Sequence, residues 1–112
     1  ESPSVRPDSG WLEVIECISN RGLGAVNVID GHENLVGIVT DGDLRRTFQR
    51  TPVAELERLT AEAMMTRSPI TVGPDTLAYD ALRLMEDRPS QIAVLPVADA
   101  DGRCLGLLRL HD

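Results

Sequence analysis

One corner of this chain occurs twice, and that repetition limits the fold more than any other feature. Gly37-Ile38-Val39-Thr40-Asp41-Gly42-Asp43 returns as Gly106-Leu107-Leu108-Arg109-Leu110-His111-Asp112, an offset of 69 from position 37 to position 106. Upstream, Val5-Arg6-Pro7-Asp8 returns as Val72-Gly73-Pro74-Asp75, an offset of 67 from position 5 to position 72. Two extra residues therefore fall in the second copy, near positions 88–94. Self-similarity at a fixed period marks a supersecondary unit used twice, each copy burying its apolar face against the other.

Each copy reads as strand, helix, strand, strand. In the first, residues 4–6 form a brief strand and Asp8 stands where a helix N-cap belongs. Trp11, Leu12, Ile15 and Ile18 then follow the i, i+3, i+4, i+7 stripe of an amphipathic helix. Gly22 or Gly24 supplies the left-handed C-terminal cap. Residues 25–29 and 35–39 are nearly continuous apolar runs, expected as strands covered on both faces. They are joined by the polar turn Asp30-Gly31-His32-Glu33-Asn34, with Asp-Gly as its hairpin signal. A helix begins at Thr40. Residues 51–60 form a partly helical connector, and Thr60 caps a short helix over 61–65. In the second copy residues 70–72 are a short strand. Pro74-Asp75 opens a helix with Leu77, Ala78, Ala81, Leu82 and Met85 on one face, ended by Arg88-Pro89-Ser90. Strands follow at 92–97 and 104–108 around the turn Asp99-Ala100-Asp101-Gly102.

The corner itself has two physical readings. A strand running into a helix presents free backbone N–H groups, and a hydroxyl and a carboxylate three residues apart suit a phosphate or a ribose. The same Thr40-x-x-Asp43 spacing is also that of a capping box, with the carboxylate favouring the helix N-terminus by about 0.3–1 kcal/mol. Arg109-x-x-Asp112 separates the two, because Arg has no acceptor for a reciprocal box while the Asp is kept. That favours a ligand role at the Asp position.

Composition excludes several classes. The net charge is −7, and the eleven basic residues, all Arg, show no basic face of the kind nucleic acid needs. Trp11, Phe48 and Tyr79 are too few for base-stacking platforms. The apolar runs are too short to span a membrane. Cys17 and Cys104 lack metal-type spacing and read as reduced, buried thiols of a cytosolic protein. His32 and His111 are isolated, so no nucleophilic triad can be assembled. Asp41-Gly42-Asp43 reads as an acidic helix start. Asp99-Ala100-Asp101-Gly102 reads as a hairpin turn, not a calcium loop, because Val97 and Leu108 stand where the first and closing ligands belong. Arg45 and Arg46 read as a solvated helix face.

On these residues the chain resembles a tandem pair of cystathionine-β-synthase (CBS) domains, a Bateman module, over essentially its whole length. The family marker Gly-h-x-Thr/Ser-x-x-Asp (h, hydrophobic) is present as Gly37 to Asp43. Gly22-Leu23-Gly24, the run from Gly37 through Leu44-Arg45-Arg46, Ala63-Met64-Met65-Thr66-Arg67-Ser68-Pro69 and the run from Gly106 to Asp112 are similar to the C-terminal module of arabinose-5-phosphate isomerases. In those bacterial enzymes a preceding sugar-isomerase (SIS) domain makes arabinose 5-phosphate from ribulose 5-phosphate for the Kdo sugar of lipopolysaccharide or capsule.

The resemblance implies an α+β fold of two β-α-β-β-α repeats about a pseudo-twofold axis. Repeat 1 would cover residues 1–50, the connector 51–60 and repeat 2 residues 61–112, the last cut before its closing helix. It implies a regulatory role, with no catalytic or metal-ligating residue in this stretch, no required cofactor and catalysis left to the SIS domain. Two clefts between the repeats would take an adenine nucleotide or a CMP-linked sugar. Asp43 and Thr40 would serve one cleft, the Asp holding ribose hydroxyls. Asp112 would serve the other, with Arg109 in the Thr position, where it could hold a phosphate bidentately. Arg67 and Thr71 would stand at the edge of the strand lining a cleft. The partners implied are the SIS domain and a second copy of the module, in the cytoplasm, with no nucleic acid and no membrane. The alternative is a structural dimerisation module with no physiological ligand.

Overall fold

The computed structural model describes residues 4–75 and 94–109, the side chain of Arg21 excepted. Strand β1 (Ser4–Val5) lies parallel to β2 (Ala25–Ile29), with Ser4 opposite Asn27 and Val5 opposite Val28. Helix α1 (Trp11–Arg21) makes the crossover between them. Its buried face differs from the expected stripe: Val14 and Ile18 enter a core with Val5, Val26, Val28, Val39, Ala61 and Met64, Trp11 packs against it, and Leu12 is 58% exposed. Each Val, Ile or Met side chain in that core contributes about 1.5–3 kcal/mol on burial.

The expected helix start shifts by two residues. Gly10, not Asp8, is the N-cap, and it makes no side-chain cap. The connector takes up that end instead, since the Trp11 N–H donates to the Leu59 carbonyl at 3.1 Å. At the other end Gly22 adopts φ 67° and returns its N–H to the Ile18 carbonyl, as the sequence predicts.

β2 pairs antiparallel with β3 (Leu35–Thr40), and α2 (Asp41–Arg50) leaves directly from Thr40. Phe48 of α2 meets Trp11 of α1 edge to face at 6.2 Å. The connector is a 3₁₀ helix (Val53–Arg58), followed by the short α3 (Ala61–Met64). A strand the sequence does not announce comes next. β4 (Thr66–Arg67) pairs antiparallel with β3, closing a four-stranded sheet in the order β1-β2-β3-β4. Gly37 makes room for it, because a Cβ there would lie 2.5 Å from Met65 Sδ and 3.0 Å from the Thr66 carbonyl oxygen.

The strand expected over 70–72 is reduced to one bridge, Val72 beside Val97. Ser68, at φ 48°, redirects the backbone between β4 and that bridge. The helix expected after Pro74-Asp75 and the two extra residues near 88–94 lie largely outside the described residues. β5 (Val94–Ala98) and β6 (Cys104–Arg109) form the second sheet as an antiparallel pair.

The sequence offsets reappear as geometry. The parallel pairing of Val5 with Val28 has its counterpart in Val72 with Val97. A register irregularity at Val28/Ile29 is matched at Val97/Ala98. Asp30 Oδ1 accepts the N–H groups of His32 and Asn34, and Asp99 Oδ1 accepts those of Asp101 and Arg103. The halves meet at these turns: the Leu35 N–H donates to the Gly102 carbonyl at 2.9 Å, and the Cys104 N–H to the Glu33 carbonyl at 2.8 Å. Positions 35 and 33 are the partners of 104 and 102 under the offset of 69. The two bonds are therefore images of each other about a pseudo-twofold axis.

A second link between the sheets is buried. Asn27 stands in the middle of β2 with no exposed surface. Its Nδ2 donates to the Gly106 carbonyl at 2.9 Å and to Cys104 Sγ at 3.2 Å. Cys17 and Cys104 are half-buried thiols.

Candidate functional site

The β3–α2 corner faces a cleft of about 640 Å³ between the two sheets. Its walls come from both halves. Ile38, Thr40, Gly42, Asp43 and Arg46 stand on one side, and Ile70, Leu95, Pro96 and Arg109 on the other. The cleft thus joins an apolar floor to a helix N-terminus, a carboxylate and two guanidinium groups.

Thr40 and Asp43 form a full capping box. The Asp43 N–H donates to Thr40 Oγ1 at 3.1 Å, and the Thr40 N–H donates to Asp43 Oδ2 at 3.0 Å. The Thr40 hydroxyl donates its own proton to the same Oδ2 at 3.1 Å. The other oxygen, Oδ1, accepts from Arg46 Nη2 at 2.7 Å and from the Thr66 hydroxyl at 3.1 Å. A carboxylate has about four acceptor sites, and in Asp43 protein donors use them all. Asp43 is 6% exposed, so these donors also satisfy a nearly buried charge.

The structure brings three of the six sequence-derived candidates together: Thr40, Asp43 and Arg109 all line this cleft. The sequence expectation assigned Arg109 to the opposite cleft. Its long side chain instead reaches the first half, where Nη1 donates to the Gly22 carbonyl at 2.7 Å, at the C-terminal cap of α1. A cation suits that negative helix end. Arg67 does not line the cleft. It sits in β4 with its exposed side chain 3.5 Å from Glu62. Thr71 borders a separate open hollow with Gly73, Pro74, Asp75 and Asp99. Asp112 lies outside the described residues.

Two participants escape a reading of the corner alone. Arg46 reads as solvated, and its side chain is 63% exposed, yet it pairs with Asp43 and lines the cleft. The i, i+3 spacing of Asp43 and Arg46 is the signal that identifies such a pair. Thr66 reaches Asp43 from β4, and nothing local in the sequence foretells that contact. Among the described residues no group of three His, Cys, Asp or Glu side chains is arranged to hold a metal. None of their helices is long and apolar enough to cross a membrane.

Comparison with known proteins gives a consistent relationship. The sequence profile of the CBS domain matches residues 1–50 and again 61–112. The arabinose 5-phosphate isomerase KdsD of Yersinia pestis is 40% identical over 112 residues, all of this chain and 33% of that protein. KdsD of Pseudomonas aeruginosa is 42% identical over 95 residues, 85% of this chain and 28% of that protein. The chain therefore spans about a third of the length of these curated relatives. Among solved structures, CBSX2 in complex with AMP superposes with a TM-score of 0.78 at 30% identity, covering 96% of this chain and 81% of that one. The CBS-domain protein ATU1752 of Agrobacterium tumefaciens shares the fold, with a TM-score of 0.81 at 21% identity over 97% of this chain and 78% of its own.

Proposed function

The chain belongs to the CBS-domain family as a tandem pair, and on that premise we propose that the cleft at Thr40 and Asp43 is a sensor site for a nucleotide-type ligand. An adenine nucleotide or a CMP-linked sugar has the required parts. Asp43 accepts the ribose hydroxyls, the N-terminus of α2 with Arg46 and Arg109 takes the phosphate, and Ile38, Ile70 and Leu95 cover the base. The carrying observation is that these groups share one cleft built from both halves. The AMP complex of CBSX2, at 30% identity, supports the ligand class.

In this reading the module is attached to a cytoplasmic arabinose-5-phosphate isomerase of Kdo synthesis, carried by a SIS domain, and pairs with a second copy of itself. Ligand would bias the enzyme by binding one packing of the two halves better than another, the condition any such regulation must meet.

Titration calorimetry with AMP, ATP and a CMP-linked sugar tests the site. Heat is expected with at least one of them. Asp43→Ala should weaken that binding by about 1.5–3 kcal/mol, the scale of a hydrogen bond to a charged group. One observation favours the alternative, a corner that only caps a helix in a structural dimerisation module: the capping box is complete without a ligand. That alternative predicts no heat with any of the three, together with equal losses of thermal stability for Thr40→Ala and Asp43→Ala.

A further inference from the structure

We propose that Arg46 gates Asp43, so that the cleft accepts a ribose only when an anion arrives with it. The inference rests on the nucleotide reading of this cleft and names what decides its specificity. Every acceptor site of Asp43 is occupied, so a ribose hydroxyl can bind only by displacing a present donor. The Thr40 N–H belongs to the capping box and cannot leave without unravelling the first turn of α2, and the Thr40 hydroxyl can turn its proton aside but keeps its oxygen against the carboxylate, because Oγ1 accepts the Asp43 N–H. The Thr66 hydroxyl can likewise only turn its proton, since its short side chain is carried by β4, which is paired to β3. Arg46 alone among these donors is on a long, 63% exposed side chain that can swing away.

Where Arg46 would go is set by charge. Its guanidinium lies over the start of α2, with Nη1 3.2 Å and Nη2 3.6 Å from the position a Cβ on Gly42 would take. The N-terminal end of a helix disfavours a cation and favours an anion. Asp43 is the ion-pair partner of Arg46 there. A nucleoside that takes Asp43 breaks this ion pair and offers the guanidinium no anion in its place. A nucleotide supplies a phosphate that the guanidinium can grip through two parallel hydrogen bonds, at a helix end that favours it too. Arg109, on the opposite wall, adds a second cation to the same space. The cleft thereby separates nucleotides from nucleosides with the same base and sugar.

The test compares AMP with adenosine, and CMP with cytidine, by titration calorimetry on the protein and on Arg46→Met, with Arg45→Met as control. Arg45 is the adjacent exposed arginine, and it does not line the cleft. Its loss changes net charge equally. The protein should prefer nucleotide to nucleoside. Arg46→Met should bind nucleotide more weakly and nucleoside more tightly, shrinking that preference roughly tenfold or more. Arg45→Met should leave it unchanged. Equal weakening of both ligand types by Arg46→Met, no change in either, or the same shift from Arg45→Met would overturn the gate while leaving the nucleotide site standing. Failure of the unaltered protein to bind any nucleotide would instead remove the site, and the gate with it.

Discussion

Glu33 holds a left-handed backbone, at φ 68°, in the turn between β2 and β3. Its partner under the offset of 69 is Gly102, at φ 87°. The same turn is thus built once with the residue that suits it and once with a residue that does not. The carbonyls of both positions accept the cross-half hydrogen bonds, so neither backbone can relax without losing one. A side chain in this region costs about 1–3 kcal/mol, and glycine returns about 0.5–1 kcal/mol of that as lost chain entropy. Glu33→Gly should therefore stabilise the fold by up to about 2.5 kcal/mol net, seen as a higher urea midpoint with an unchanged slope. A lower midpoint would mean that the exposed Glu33 side chain does something beyond tolerating the turn.

The same turn carries a pH dependence at the scale of the element. Backbone N–H groups of Asn34 and then His32 donate to the Asp30 carboxyl and hold it below its ordinary value of 3.8. A depressed folded value means that the stabilisation is complete above pH 3.8 and is lost as pH falls through the lowered folded value. An NMR titration of the Asp30 carboxyl should give a midpoint below 3.8. Asp30→Asn, which keeps an acceptor oxygen, should abolish that part of the acid sensitivity. A midpoint at or above the ordinary value would show that the turn is not closed in solution. The hairpin is legible in sequence because Asp-Gly between two apolar runs has few other uses. The Thr40–Asp43 box is legible because its spacing is local. β4 is not, since a two-residue edge strand draws its pairing from β3 and from the space at Gly37. The start of α1 moves for a similar reason, because a distant connector meets its first turn. Arg46 and Arg109 reach their partners through long flexible side chains, so periodicity tells their face but not their contacts.

Across the whole molecule, the two halves are held by links of very different burial, and burial decides their worth. Arg109 to the Gly22 carbonyl is short at 2.7 Å but solvated. Water replaces such a contact readily, and Arg109→Ala should cost under about 1 kcal/mol. Asn27 is fully buried, and its Nδ2 holds the Gly106 carbonyl and Cys104 Sγ of the opposite sheet. Its Oδ1 has no hydrogen-bond partner among the described residues, so the residue carries a cost as well as a bond. Asn27→Ala removes that cost, but it takes the side-chain donor from the Gly106 carbonyl and opens a void at the sheet interface. Loss of a buried partner is worth about 1–3 kcal/mol, which should exceed the relief. The same substitution should weaken nucleotide binding, because Ile38 and Thr40 on one wall and Leu95 and Pro96 on the other belong to the two sheets that Asn27 joins. Urea unfolding and calorimetry on both variants check the ordering. Asn27→Ala is expected to lower stability more than Arg109→Ala does. A rise in stability with Asn27→Ala would mean that the orphaned Oδ1 outweighs the bond, leaving the turn-to-turn pair at Leu35 and Cys104 as the main tie between the halves.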